Sequence, residues 1–539
     1  MRERYCVKKM KLTEKTIIQG LKKRVSLSEN RVACIFDDVV YTWRELDQIS
    51  DAVAGKLVNI GVKKGDHVGL LGVNTIEWLV CYYAIHKIGA IAVLLNYGYL
   101  EKELRDVVDY SDVAYLALGE SKTGSDYEDA IRHARENLPK LKVYFDMNEV
   151  ITPCIEAVKE HRTIPLSFPL PDTHENDTAV IIFTSGTTLR PKGVMLSNGQ
   201  IMETMGEVAD SMEWNENDRL LLALPMYHGS GGNTGILVSL HSGMTLVLMR
   251  YYRSVPVMRL IEKYKCTVFN SVPSMLLLMM NNPKFGNYDL SSLKSGIISG
   301  STISAEQYRK ITGAFGIKKL IPAYGMTEAS TLSTICKMDD VDEIKMDSAG
   351  KPLKNVELRI WNCQQASEST VGEIGEIQIR GETVMQGYYK MPEKTKASMM
   401  EGGWFRTGDA GYMDKNGYLH FRNRITEMIV RGGENISPAE IENCIRNFDE
   451  KIENVKVVGI ADAVMQEEVA ALVTMTEGNI DEQGLIEYLK ERLALFKVPK
   501  YVFQIKKFPM TGSGKIDLKQ TRAIAEKLAD ERKERKNEQ

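Results

Sequence analysis

The chain has 539 residues, of which 43% are hydrophobic and 26% are charged, and its formal net charge at pH 7 is −3. This length exceeds what one hydrophobic core usually organises, so we expect at least two domains, and the near-neutral charge argues against nucleic acid as a partner. The eight cysteines are scattered without a C-x-x-C pair, which favours reduced thiols in the cytoplasm over a disulfide framework or a zinc site.

Neither a secretory signal nor a membrane span is expected. The first ten residues are basic, but no apolar segment follows them. Residues 78–100 are mostly apolar, but this stretch contains His86, Lys87 and Asn96, and Gly89 divides it into a helical half and a strand-like half. A buried helix followed by a buried strand explains this composition better than a transmembrane helix does.

Apolar strands alternate with periodic helices through the first three quarters of the chain. The pattern predicts a strand over 67–73, a helix over 76–87 and a strand over 90–95. The same alternation recurs over 219–224, 245–249, 258–264, 267–270, 275–280 and 295–299. This alternation indicates α/β layers with largely parallel sheets.

The pattern changes twice in the last third of the chain. Segments 356–361 and 375–380 alternate apolar and polar residues, and the turn sequence 414–417 separates segments 410–413 and 418–421, which predicts a small antiparallel sheet or barrel. From about residue 431, we predict a helix over 438–448, strands over 455–459 and 469–475, a helix over 484–495 and a charged helix from 519. This last part is long enough to form a separate α+β domain.

A polar loop follows the apolar strand that ends at Phe183. It contains Thr184, Ser185, Gly186, Thr187 and Thr188, and then Pro191, Lys192 and Gly193. Hydroxyls, backbone N–H groups and one cation can together wrap a polyphosphate. The Walker pattern is absent, and by its composition alone the segment could also be an ordinary polar surface loop.

Four further motifs follow this loop in order. They are Tyr324-Gly-Met-Thr-Glu328, Thr407-Gly-Asp409, Asn423-Arg424 with Arg431-Gly-Gly-Glu-Asn-Ile436, and Thr511-Gly-Ser-Gly-Lys515. Together with the loop, they resemble the acyl-adenylate-forming (AMP-binding) superfamily, most of all its acyl-CoA synthetases, over about residues 40–516. The resemblance implies an N-terminal ATP- and acid-binding domain of α/β layers over 1–426, with a small antiparallel barrel at about 350–426. It also implies a smaller, mobile α+β C-terminal domain over 427–539.

The activity implied by this resemblance is the ATP- and Mg²⁺-dependent activation of a small-molecule carboxylic acid. The acid becomes acyl-AMP with release of pyrophosphate, and the acyl group then passes to the thiol of coenzyme A. A carboxylate is a poor electrophile, and joining it to the α-phosphate converts one oxygen into a good leaving group. The site has to bring two anions together, so it needs cations and hydrogen-bond donors directed at the α-phosphate.

The resemblance also assigns roles to individual residues. Thr184, Ser185, Gly186, Thr187, Thr188 and Lys192 would hold the β- and γ-phosphates. Thr327 would contact the α-phosphate, Glu328 would bind Mg²⁺, and Lys515 would catalyse adenylation with them. The adenine would lie with one face against Tyr324, which Gly325 and Met326 follow in the motif. The Gly300-Ser301-Thr302 turn would cover its other face. Asp409 would bind the ribose hydroxyls, and Arg424 would donate to the ribose or a phosphate.

The second half-reaction involves a hinge and a tunnel. Glu427 resembles the hinge of the family, and Gly432 and Gly433 would let the pantetheine arm pass close to the backbone. The chain departs from the family pattern at three positions. Leu189 stands where glycine is usual, and Glu427 stands where aspartate or lysine is usual. Asn423 precedes Arg424, where the family usually has glycine. None of them removes a charged catalytic group, and Leu189 is the one expected to slow the reaction.

The substrate is predicted from the segment Pro225-Met-Tyr-His228. His228 stands where amino-acid-activating relatives usually have aspartate, which favours an acid without an ammonium group. Gly229, Gly231, Gly232 and Gly235 follow, and their missing side chains favour a roomy pocket for an aryl or medium-to-long acyl group. Alternatives are a stand-alone enzyme that loads an acyl carrier protein, a non-catalytic nucleotide-binding regulator, and a kinase or ATPase. The sequence indicates no particular oligomeric state.

Overall fold

The computed structural model describes residues 12–537 except 123, 125–126, 163–168, 170, 185–190, 302, 304, 363–364, 425–428, 437 and 510–515. The strands are β1 Val32–Phe36, β2 Val39–Thr42, β3 His67–Leu71, β4 Ile91–Leu95, β5 Tyr115–Leu118, β6 Val143–Asp146, β7 Thr178–Thr184, β8 Lys192–Ser197, β9 Arg219–Leu222, β10 Thr245–Leu248, β11 Ser295–Ile298, β12 Lys319–Tyr324, β13 Thr334–Ile335, β14 Lys351–Pro352, β15 Glu357–Asn362, β16 Ser367–Glu368, β17 Gly375–Arg380, β18 Gly387–Tyr388, β19 Met399–Met400, β20 Trp404–Met413, β21 Leu419–Arg424, β22 Ile429–Arg431, β23 Glu434–Ile436, β24 Ile452–Asp462, β25 Gln466–Met475 and β26 Tyr501–Gln504.

The α-helices are α1 Ile17–Ser28, α2 Trp43–Asn59, α3 Ile76–Lys87, α4 Glu101–Tyr110, α5 Tyr127–Ala134, α6 Met147–Lys159, α7 Asn198–Ser211, the short turn α8 Gly229–Gly231, α9 Val238–Ser242, α10 Ser254–Tyr264, α11 Pro273–Met280, α12 Ala305–Phe315, α13 Asp342–Asp347, α14 Pro392–Ser398, α15 Pro438–Arg446, α16 Glu482–Lys490 and α17 Leu518–Asn537. A π-helical segment, Gly232–Leu237, joins α8 to α9.

Two largely parallel sheets form the first part of the fold. One has the order β18-β8-β7-β4-β3-β5-β6. The five strands from β7 to β6 pair in parallel, and β8 is antiparallel to both of its neighbours, β7 and β18. The other contains β2-β1-β10-β9 and continues through single bridges at Val268 to β11-β12-β13-β14. The predicted α/β layers are confirmed, although segment 267–270 forms isolated bridges instead of a full strand.

The apolar stretch at 78–100 is a buried helix followed by a buried strand. Thr75 begins α3 by accepting the N–H of Trp78, and every residue of that helix except Glu77 is buried. The buried Lys87 is neutralised by Asp47 and Asp51 of α2, at 2.7 and 2.5 Å. Among the described residues, no helix is both long and apolar enough to cross a bilayer.

The predicted antiparallel part and the final α+β part are both present. Strands β16-β15-β17-β20-β19 form one sheet with β21 paired to β20, and the chain turns between β20 and β21 where the residue pattern predicted. The last sheet has the order β23-β22-β25-β24, and β26 pairs parallel with β25. It has its own apolar clusters, which include Ile441 and Leu485 on one face and Phe508 and Ala525 on the other. Helix α16 ends at Lys490, earlier than expected.

Candidate active site

The predicted phosphate loop lies between two paired strands. Strand β7 ends at Thr184 and β8 begins at Lys192, and these two residues are directly opposite each other in the antiparallel ladder. The pairing therefore holds both ends of the loop together. Ser185, Gly186, Thr187 and Thr188 lie outside the described residues, as does Leu189.

Two of the predicted nucleotide contacts meet in a buried hydrogen bond. Tyr324, the last residue of β12, donates its hydroxyl to Asp409 Oδ2 at 2.8 Å. Asp409 on β20 is paired across the hairpin with Arg424, the last residue of β21, whose side chain is not described. The ring of Phe421 lies 5.9 Å from that of Tyr324, a contact that no sequence motif indicated.

The turn predicted to cover the adenine has the backbone geometry of a tight approach. Gly300 has φ of +86°, a region that favours glycine, and a Cβ there would lie 3.2 Å from Val272 Cγ1. The hydroxyl of Ser301 is buried without a hydrogen-bond partner among the described residues. Such an unsatisfied hydroxyl fits a site that receives a polar ligand. Thr302 is outside the described residues.

Thr327 and Glu328 begin a short helical turn after β12, and both side chains are buried. Gly325 packs against the backbone of Thr331, since a Cβ at Gly325 would lie 2.1 Å from the Thr331 carbonyl oxygen, and Met326 precedes the turn. The hydrogen bond from Tyr324 to Asp409 places the start of the motif beside β20.

Glu328 provides a buried carboxylate, 7% exposed, and the described residues contain no group of three or more metal-ligating side chains. Magnesium commonly takes one or two carboxylates and completes its shell with waters and substrate phosphates. The residues present therefore fit a magnesium ion shared between Glu328 and a nucleotide.

Tyr388 is a functional candidate that the sequence analysis missed. It lies on β18, and its hydroxyl donates to Glu328 Oε1 at 3.0 Å. The Nζ of Lys192 lies 5.2 Å from the centre of its ring. Burial and then the charge of Glu328 raise the pKa of the Tyr388 hydroxyl, so it keeps its proton and acts as a donor.

His228 lies beside the Glu328 motif. Its Nδ1 accepts the backbone N–H of Ser230 at 3.3 Å and is 2.8 Å from the Ser230 hydroxyl. The next residue, Gly229, packs against Thr331, whose Oγ1 accepts from Asn233 at 3.0 Å. Thr331 has φ of +85°, which is unusual for a β-branched residue and often marks a functional site.

The glycines after His228 allow close packing, and the expectation that they open space is wrong at these positions. A Cβ added at Gly229 would lie 2.3 Å from Thr331 Oγ1, and one added at Gly231 would lie 2.0 Å from the Pro225 carbonyl oxygen. Gly232 and Gly235 are similarly close to the Met226 carbonyl oxygen and to the Leu222 side chain. Neighbouring protein atoms fill the space that side chains at these positions would take.

Gly432 and Gly433 form the two-residue turn between β22 and β23. Both have positive φ, +58° and +89°, as the tight hairpin turns that favour glycine require. This turn contacts the N-terminal part of the chain, since a Cβ at Gly433 would lie 2.9 Å from Val272 Cγ1. Val272 therefore lies beside both the Gly300 turn and the Gly433 turn. Glu427 and Lys515 are outside the described residues.

Comparison with known families identifies the chain. The family described as AMP-binding enzyme matches residues 21–389, and the AMP-binding enzyme C-terminal domain matches residues 440–515. The chain belongs to the AMP-binding enzyme family. The two matches cover the α/β layers and most of the final α+β part, and the Gly432–Gly433 turn lies between them.

Known members of the family resemble the chain over nearly its whole length. A putative acyl-CoA synthetase of Bacillus subtilis is 32% identical over 94% of this chain and 96% of its own length. The human mitochondrial medium-chain acyl-CoA ligase is 30% identical over 95% of this chain and 87% of its own. A double mutant of Bacillus subtilis o-succinylbenzoate CoA synthetase, bound with its product analogue, has a TM-score of 0.78 at 27% identity, with 93% and 97% of the two chains covered.

These comparisons confirm the predicted fold class and the predicted enzyme class, an AMP-forming acid–thiol ligase. ATP, Mg²⁺ and coenzyme A, the predicted cofactors, agree with this class.

Proposed function

We propose that this AMP-binding enzyme is an acyl-CoA synthetase that activates an aryl or medium-to-long acyl acid and transfers the acyl group to coenzyme A. The observation that carries the proposal is the convergence of the Tyr324–Asp409 hydrogen bond, the buried Glu328 and the paired Thr184 and Lys192. The medium-chain and aryl-acid relatives support the substrate class.

In the first half-reaction, the chain's residues hold and neutralise two anions. Tyr324 and Asp409 would fix the nucleoside, and Lys192 with the loop from Thr184 would hold the leaving phosphates. Mg²⁺, held by Glu328 and the phosphates, would supply charge stabilisation at the oxygens. Lys515, carried by the C-terminal part, would stabilise the charge that develops as the carboxylate joins the α-phosphate.

In the second half-reaction, the domain arrangement described here would admit the thiol. The Gly432–Gly433 turn lies against Val272, next to the Gly300 turn. We infer that this is the thioester-forming orientation, with residues 1–426 and 427–539 as the two domains and Glu427 as the hinge between them. His228, whose Nδ1 is occupied by Ser230, would lie at the mouth of the acyl pocket.

The cytoplasm is the proposed location of the enzyme. Six described cysteines, including the buried Cys34 and Cys81, are free thiols. Unpaired thiols in this number suit a reducing compartment.

The test is a screen of straight-chain and aryl carboxylic acids with ATP, Mg²⁺ and either coenzyme A or a pantetheinylated carrier protein. We expect AMP and pyrophosphate as products, and acyl-CoA with at least one acid of medium length or longer. Lys515→Ala should abolish pyrophosphate release but still convert pre-formed acyl-AMP to thioester. ADP and phosphate as products would refute the proposal, and transfer to the carrier protein alone would change the acceptor.

A further inference from the structure

Two parts of the proposed ATP site, the helical turn after β12 and the start of strand β8, meet on Tyr388. Its hydroxyl donates to Glu328 Oε1 at 3.0 Å, and the Lys192 ammonium lies 5.2 Å from its ring centre. The side chain is 5% exposed. One buried tyrosine therefore touches both the carboxylate assigned to magnesium and the cation assigned to the leaving phosphates.

The backbone on both sides of Tyr388 is fixed. Strand β18 pairs antiparallel with β8, so Tyr388 is opposite Val194, two residues after Lys192. The N–H of Tyr388 donates to Thr395 Oγ1 at 2.9 Å, and the N–H of Tyr389 donates to the Gly193 carbonyl oxygen at 2.7 Å. The position of the ring relative to Lys192 is therefore set by the sheet.

The segment before Tyr388 also holds the turn that carries Glu328. The N–H of Met385 donates to the Glu328 carbonyl oxygen at 2.8 Å. Thr383 donates its hydroxyl to the Ala329 carbonyl oxygen at 2.9 Å and accepts, at its own carbonyl, the Ser330 hydroxyl at 2.8 Å. Residues 383–388 thus form a support, and Tyr388 is the side chain of that support which reaches the carboxylate.

We propose that Tyr388 is a positioning residue that orients the Glu328 carboxylate for Mg²⁺ and links that orientation to Lys192. The proposal rests on the function proposed above. By donating to one carboxylate oxygen, the hydroxyl restricts the rotation of the carboxylate and leaves the other oxygen available to a metal ion. The ring acts separately, since its face attracts the Lys192 ammonium.

Two substitutions separate these roles. Tyr388→Phe keeps the ring beside Lys192 and removes the hydroxyl, so the Mg²⁺ concentration for half-maximal pyrophosphate release should rise by at least about fivefold. The dissociation constant for ATP in EDTA, measured by calorimetry, should stay within about twofold. Tyr388→Leu also removes the ring and should weaken ATP binding in EDTA, by about threefold or more.

The double variant supplies a readout that a general loss of stability would not give. If Tyr388 acts through Glu328, Tyr388→Phe should add little to the magnesium defect of Glu328→Gln, because the two side chains would act as one unit. Tyr389→Phe is the matched control, since its hydroxyl donates to Asp112 at 2.8 Å, away from Glu328, and its Mg²⁺ dependence should equal that of the unsubstituted enzyme.

An unchanged Mg²⁺ dependence in Tyr388→Phe would overturn the proposal, and so would fully additive defects in the double variant. Calorimetric titration of Mg²⁺ into the enzyme–ATP complex gives the same comparison without turnover. It therefore remains decisive if no acid supports pyrophosphate release, a result that would count against the proposed function and not against the role of Tyr388.

Discussion

Glu103 and Lys497, which are 394 residues apart in the chain, form a buried ion pair with Oε1 and Nζ separated by 2.8 Å. Glu440 Oε1 lies at the same distance from that ammonium. Burial alone would lower the pKa of Lys497, but the two carboxylates outweigh it and raise that pKa, so the lysine stays charged. Because Glu103 is on α4 and Lys497 follows α16, the pair fastens the C-terminal part to the N-terminal part.

Glu103→Gln should selectively slow thioester formation. Removing one partner of a buried ion pair costs about 3–5 kcal/mol when it leaves the other charge unpaired. Lys497 keeps Glu440 as a partner, so the cost here is smaller, and it falls on the domain orientation that contains the pair. We expect the conversion of pre-formed acyl-AMP to acyl-CoA to slow by at least about tenfold, equivalent to ~1.4 kcal/mol. Pyrophosphate release in the first turnover should be unchanged or faster. Glu440→Gln is the control, because it leaves the contact between the two parts in place. Equal effects of both variants on thioester formation would contradict the prediction.

Gly433→Ala should impair the same half-reaction through a steric contact. The added Cβ would lie 2.9 Å from Val272 Cγ1, and φ of +89° already disfavours a side chain. Thioester formation should fall by about tenfold while first-turnover pyrophosphate release is retained. Gly433→Leu, with its larger side chain, should reduce thioester formation further.

Two comparisons separate the collision from the strain. Val272→Ala combined with Gly433→Ala should recover part of the lost rate, because it removes the atom that the new Cβ meets. Gly478→Ala measures the free-energy cost of placing alanine at a positive φ without a collision. Gly478 has φ of +75° and no neighbour within 4 Å of an added Cβ. No recovery in the double variant would show that strain at Gly433 explains the whole effect.

Tyr324→Phe should weaken ATP binding while it retains the ring that we propose contacts the base. It removes the 2.8 Å hydrogen bond to Asp409, and a hydrogen bond to a charged group contributes about 1.5–3 kcal/mol. We therefore expect the dissociation constant for ATP to rise by about tenfold. Tyr418→Phe, which removes a 2.6 Å hydrogen bond to Asp340, should leave that constant unchanged. An unaltered constant in Tyr324→Phe would remove Asp409 from the proposed ribose contact.

The stability of the N-terminal part should fall on mild acidification because of His86. Burial lowers the pKa of this histidine to about 3, whereas the unfolded chain protonates near the ordinary value of 6.5. Between these values the unfolded state binds more protons, so stability decreases as the pH falls below about 6.5, by roughly 2 kcal/mol at pH 5. His86→Phe should remove this component. Urea unfolding midpoints at pH 7.5 and pH 5 test it, and an equal pH shift in the variant would contradict it.

Local patterns predicted the elements whose signals lie within a few residues. Helix α3 has the predicted bounds Ile76–Lys87, because Thr75 caps it and its apolar residues are continuous. The β20–β21 turn follows from Asp414, whose side chain accepts the N–H groups of Asn416 and Tyr418. The motifs around Tyr324 and Asp409 carried the family resemblance, so their neighbourhood was expected.

Contacts between distant segments were beyond what the sequence could indicate. Tyr388 is 60 residues from Glu328, and Glu103 is 394 residues from Lys497, so neither pair leaves a local pattern. The glycines from Gly229 to Gly235 show the converse error. A glycine-rich segment is compatible with an open cavity and with tight packing, and only the positions of Thr331 and Pro225 decide between them.

Val272 has a consequence for engineering the enzyme. A Cβ added at Gly300 would lie 3.2 Å from its Cγ1, and one added at Gly433 would lie 2.9 Å from the same atom. A bulkier residue at this position would push on the Gly300 turn and on the Gly433 turn at once, and a smaller one would loosen both. Libraries designed to accept new acids should therefore keep position 272 constant and vary residues around His228, so that changes in selectivity are not confounded with changes in turnover.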